Sequence, residues 1–183
     1  MIKNDIKILA LGVAALGVVA LPMASYAAVQ ENQQMVIATV TASNSISISP
    51  DEANITNLGI NDTKDSTGTN TITVQWNNVR GYNITYTGED LAGQDDSSIK
   101  IKAATALTEG GTLGGGTTGE WGVVYNGLKP AASGSLLSDW ETTKGTKTFD
   151  VSYRVKTTNT TAAQVYDGVI TYELSEQPAN DIS

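Results

Sequence analysis

The clearest signal in the chain is a hydrophobic period of two near its end. Over residues 149–156 apolar and polar positions alternate without a break, with Phe149, Val151, Tyr153 and Val155 on one face and Asp150, Ser152, Arg154 and Lys156 on the other. After a polar, threonine-rich turn at 157–163, Tyr166, Gly168, Ile170, Tyr172 and Leu174 alternate with Asp167, Val169, Thr171 and Glu173. Two half-buried strands joined by a short polar connection predict an antiparallel hairpin that closes the chain.

The same pattern recurs upstream. At 35–42, Val36, Ala38, Val40 and Ala42 alternate with Ile37, Thr39 and Thr41, and 45–49 forms a second period-two stretch. Ile55, Leu58 and Ile60 suggest a third, less regular strand. A turn-rich segment at 61–70 separates these from Ile72, Val74 and Trp76, which face inward. A turn at 77–81 and the alternation of Tyr82, Ile84 and Tyr86 then predict a second hairpin. Ile99 and Ile101 oppose Lys100 and Lys102, and Trp121, Val123 and Tyr125 make a further strand. Six glycines and three threonines at 109–119 read as a flexible connection, and 130–138 as a loop of small residues. The triplet Asp139-Trp140-Glu141 reads as an exposed turn. About nine short strands spaced by turn residues, with no helical spacing after residue 27, predict an all-β fold: an antiparallel β-sandwich of the Ig-like or pilin-like kind. A closed barrel is the alternative, and the wealth of threonine and β-branched residues suits either.

The first 27 residues carry a different pattern. Lys3 and Lys7 precede an apolar run at 8–21, and Ser25-Tyr26-Ala27 places small residues where a signal peptidase reads. This predicts a signal peptide at 1–27, a polar tail at 28–34 and one domain through residue 183. A retained membrane anchor is the alternative, although the run is shorter than the roughly 20 residues a span needs. Without residues 1–27, nine basic and eighteen acidic residues remain, so the net charge moves from −8 to −9. An acidic exported chain repels nucleic acid and anionic lipid, and stable membrane insertion after cleavage is not expected. There is no Cys to form disulfides, and no His, the commonest general base and metal ligand.

Candidate chemistry is correspondingly thin. Glu89-Asp90 and Asp95-Asp96 are the clustered carboxylates, but they sit in a polar loop with little apolar surface to raise a pKa. The 61–70 loop offers oxygen ligands and a glycine turn to calcium, yet lacks the alternate ligand spacing and contains Lys64. The glycine run ends in no Gly-Lys-Ser/Thr, so it is no phosphate cradle. No catalytic, cofactor-binding or metal residue is therefore assigned, no cofactor is expected, and the chain is read as a non-enzyme. Trp76, Trp121, Tyr82 and Tyr125 share parity with apolar neighbours and read as core, whereas Trp140 reads as exposed.

The run MVIATVTASNSISIS at 35–49 resembles the opening strands of bacterial pilin-like domains of the spore-coat-U and colonisation-fimbria types. VQWNNVRGYNIT at 74–85, EWG at 120–122, TFDVSYRV at 148–155 and YDGVITY at 166–172 resemble secreted bacterial β-sandwich proteins, and the last resembles the closing strand of WxL-type surface domains. Asn44 and Ser45 stand where spore-coat-U domains carry a cysteine, and no Trp-x-Leu follows Trp140. The resemblance implies a secreted, extracellular, cell-surface structural or adhesive protein. The free tail and strand at 35–42 could add to the edge of a second copy, giving a fibre subunit. The alternative is a carbohydrate- or cell-wall-binding module. The expected partner is another copy of the chain or a surface glycan.

Overall fold

A computed structural model describes residues 44–179. The signal peptide, the tail at 28–34 and the strand expected at 35–42 lie outside them. In chain order the strands are β1 (Ser45–Ser49), β2 (Thr63–Asp65), β3 (Asn70–Trp76), β4 (Tyr82–Gly88), β5 (Leu91–Gly93) and β6 (Lys100–Ala103). They continue as β7 (Glu120–Val124), β8 (Leu128–Pro130), β9 (Gly134–Ser135), β10 (Gly145–Lys156), β11 (Tyr166–Asp167) and β12 (Ile170–Glu176). The described chain is all-β, with no α-helix.

The long strand β10 organises the larger sheet because its twelve residues are enough to pair with two partners end to end. Gly145 to Val151 pairs with β3, placing Phe149 opposite Ile72. Ser152 to Lys156 pairs with β7, placing Tyr153 opposite Val123 and Val155 opposite Trp121. The sheet runs β1-β3-β10-β7-β6-β5-β11, with β2 also on β10 and β8 also on β7. The smaller sheet is β12-β4-β9, with Ile84 opposite Leu174 and Tyr86 opposite Tyr172. Inward residues of both sheets form one buried cluster, including Ile72, Val74, Tyr82, Ile84, Val123 and Val151, each fully enclosed. Enclosing side chains of this size contributes roughly 1.5–3 kcal/mol apiece.

Several expectations need correction. Neither predicted hairpin forms: β3 and β4 lie in different sheets, and so do β10 and β12. Alternation specifies which face is buried but not which neighbour a strand takes: the connection at 77–81 arches from one sheet to the other, whereas 157–165 leads from β10 to β11 within the larger sheet and the crossing to β12 falls at residues 168–169. The first arch is closed by ring contact, with Trp76 and Tyr82 centroids 5.0 Å apart, and by a Trp76 Nε1–H bond to Arg80 O at 2.7 Å. The described residues hold twelve strands, more than the nine or so expected over the whole chain, because five are only two or three residues long. One pairing, β6 with β7, is parallel. The segment around Ile55, Leu58 and Ile60 is not a strand. It is an irregular loop held from outside, for the buried Asn70 amide donates to Pro50 O and Glu52 O at 2.7 and 2.9 Å. A strand forms instead at β2, inside the expected loop, where Thr63 to Asp65 pairs with the end of β10.

The glycine run at 109–119 is anchored rather than loose. Leu113 is buried, Lys156 Nζ donates to Leu113 O at 2.9 Å, and Gly115 N–H donates to the Glu120 carboxylate at 2.9 Å.

Candidate functional site

The carboxylates singled out from sequence do not converge. Asp90 accepts Lys102 Nζ at 2.7 Å and Ala103 N–H at 2.9 Å. Burial pushes its pKa up, but those bonds outweigh it and hold the carboxyl below its ordinary value. Asp96 accepts the Ser98 hydroxyl at 2.6 Å and the Ser98 N–H at 2.9 Å, and both lower its pKa. Asp95 lies beside it, where its backbone N–H donates to Gln164. An acid catalyst needs the opposite shift, so the depressed Asp90 and Asp96 fit loop-fixing ion pairs and caps rather than proton transfer.

The 61–70 loop spends its acids in the same way. Asp62 is held low chiefly by the Gly59 N–H, and it caps Thr63 and pairs with Lys64 at 3.5 Å. Asp65 forms a two-pronged pair with Arg154, at 2.5 Å to Nε and 2.7 Å to a terminal nitrogen, and that bond lowers its pKa. Among the described residues no three His, Cys, Asp or Glu side chains gather in a way that could hold a metal ion.

The aromatic residues divide differently from the expectation. Trp76, Trp121 and Tyr82 are core. Tyr125 is only half-buried, and Trp140 is half-buried instead of exposed. Both border a cleft of about 370 Å³. Parity misjudged Tyr125 because it falls just after β7, where the strand gives way to a turn. Trp140 is held in because Glu141 pairs with Tyr82 through two backbone bonds of 2.8 Å.

A second feature lies where the two sheets end on the same flank. β1 is the outermost strand of one and β12 of the other, and they lie against each other. Their inward side chains (Ile46 and Ile48 on β1; Ile170, Tyr172 and Leu174 on β12) are only partly covered. Their cross-strand partners one step inward, Val74, Ile72, Ile84 and Tyr86, are closed off. A cleft of about 300 Å³ opens along this seam, bordered by Ile46, Trp76 and Leu174 with Asn44 and Glu176 at its edges.

Compared with protein-family models and with curated proteins, the chain finds no match.

Chemically, the described residues offer two things. The seam presents apolar side chains and two free strand edges, which suits main-chain pairing. The cleft at Tyr125 and Trp140 is bordered by two aromatic side chains beside polar groups. Sequence reasoning missed the seam because exposure at a sheet edge depends on strand order, which periodicity does not encode.

Proposed function

We propose that this chain is an exported cell-surface structural protein whose copies join by strand addition at the β1/β12 seam. One observation carries the reading: among the described residues the core is closed at the centre of both sheets and half-open along the flank where two unpaired edges meet. A strand laid on the β12 edge would satisfy its outward N–H and C=O groups and cover Leu174, Tyr172 and Ile46. The occupant we assign is the segment 35–42 of a second copy. Its eight residues match the seven of β12 in length, and its inward set of Val36, Ala38, Val40 and Ala42 is small enough for a shallow cleft.

The test uses the chain from Ala28 onward at rising concentration, followed by size-exclusion chromatography and negative-stain microscopy. Concentration-dependent oligomers or filaments are expected. Deleting 28–42, or introducing Val36→Asp with Val40→Asp, should leave a folded monomer, and a peptide of residues 35–42 should bind that truncated protein. A chain from Ala28 that stays monomeric at high concentration, with no peptide uptake by the truncated form, overturns the proposal.

A further inference from the structure

The cleft beside Tyr125 and Trp140 shares no bordering residue with the seam, and strand addition does not use it. The Tyr125 ring and the Trp140 backbone are held in place before any ligand arrives. The Tyr125 ring meets Phe149 nearly edge-on, with centroids 6.1 Å apart and planes at 65°. Trp140 follows β9 on a segment tied to the start of β4 by the paired bonds between Glu141 and Tyr82, and its Cβ packs tightly against Gly81. A ligand docking there meets a wall whose backbone is already placed, which limits the ordering entropy lost on binding.

The polar groups around the rings are unspent. Among the described residues the Trp140 indole N–H, the Tyr125 hydroxyl and the Lys129 ammonium have no hydrogen-bond partner. The Asp139 carboxylate accepts only one weak bond, from the Ser138 hydroxyl at 3.3 Å. The apolar remainder of the wall comes from Leu136 and Leu137.

Two aromatic rings flanked by separate donors and acceptors, bordering one cleft, match a ligand with one apolar face and a hydroxylated edge. A pyranose ring has that build: its axial C–H groups lie on an aromatic face while its hydroxyls reach outward. Lys129 and Asp139 offset each other in charge, which favours a neutral ring. The volume of about 370 Å³ falls near the lower end of the roughly 300–1,000 Å³ of small-ligand sites, room for one or two rings. We propose that the cleft bordered by Tyr125 and Trp140 binds an uncharged pyranose unit of an oligosaccharide.

The test begins with the chain from Ala28 on an array of neutral gluco-, manno-, galacto- and N-acetylglucosamine-based oligosaccharides. The strongest binder is then titrated by tryptophan emission. Trp76 and Trp121 are 3% and 4% exposed, so a blue shift on binding reports Trp140. We expect saturable binding that weakens about tenfold or more in Trp140→Ala and about threefold in Tyr125→Phe, with the unfolding midpoint of Tyr125→Phe little changed. Plain hexose and N-acetylated arms of the array separate the two neutral sources. If Trp140→Ala does not fold, Tyr125→Phe and Lys129→Ala decide. No binding anywhere on the array at millimolar sugar, or an affinity that none of the folded variants alters, overturns the assignment.

Discussion

The Tyr153 hydroxyl lies 3.2 Å from the Tyr172 hydroxyl, and the two residues belong to opposite sheets. Each ring also packs at a tilt within its own half of the core: Tyr153 against Trp121 with centroids 6.2 Å apart, Tyr172 against Tyr86 at 5.9 Å. A chain of four aromatic side chains therefore crosses the interior and joins β7 and β10 to β12 and β4. Such a pair of hydroxyls in low dielectric holds only while at least one keeps its proton.

Alkaline pH is expected to unfold the domain through these tyrosines. Burial raises the pKa of Tyr153, Tyr172 and Tyr86 above the ordinary 10.0, Tyr86 to about 12. Because the folded state keeps protons that the unfolded state releases, this stability is fully present below pH 10 and is lost as pH rises toward the folded values. Phenolate absorbance and near-ultraviolet circular dichroism should change together above pH 10, in one cooperative step. Independent titration of all six tyrosines after residue 28 with the fold intact would contradict the packing described.

Gly88 is expected to be intolerant of any side chain. A Cβ there would sit 2.6 Å from Ala131 O and 2.8 Å from the Trp121 ring, and its N–H donates to Ala131 O at 3.0 Å. Gly88→Ala should cost about 1–3 kcal/mol or more through forced displacement of Trp121. Gly59→Ala provides the control, since its Cβ would meet only ordinary contacts at 3.7 Å. Urea unfolding of both variants checks the contrast, and equal midpoints would show that the site yields.

How much of this was legible in the sequence depends on the range over which each signal acts. Parity alone found the inward faces of β3, β4 and β10, because Ile72, Ile84 and Val151 are buried by the pleat whatever the neighbour. It could not say that β10 pairs β3 and β7 while β12 pairs β4, since partner choice is a long-range property. Strands such as β5, β9 and β11 are too short to carry a period. Gly88 did hold a readable clue: glycine at an inward position after Tyr82, Ile84 and Tyr86 signals another backbone in close approach. Trp140 gave none, because two acidic neighbours resemble a solvated turn until Glu141 is seen bridging to Tyr82. The seam was invisible for the same reason as the pairings.

Tyr82→Phe is expected to stabilise the protein. The Tyr82 hydroxyl is buried without a partner, and a buried polar group left unsatisfied costs about 1–3 kcal/mol. Removing the oxygen keeps the ring contact with Trp76 and discards that cost. A gain of about 1 kcal/mol would raise the thermal midpoint by roughly 2–4 °C in a domain of this size. A lower midpoint in the variant would mean that the hydroxyl is bonded in solution.

Thr157 is the residue on which the irregular segment before β2 hangs. It is 4% exposed, its hydroxyl donates to Gly59 O at 2.7 Å and accepts the Asp62 N–H at 3.0 Å, and its own N–H donates to Asp62 O at 2.9 Å. Thr157→Val preserves shape but strips the hydroxyl, leaving the Gly59 carbonyl and the Asp62 N–H without that partner. The expected cost is about 1–3 kcal/mol, borne locally because the core behind Val155 is untouched. Hydrogen exchange should therefore quicken at Asp62 and its neighbours while Val151 and Tyr153 keep their protection. Faster exchange across β10 as well would show that the latch holds the sheet, not only the loop.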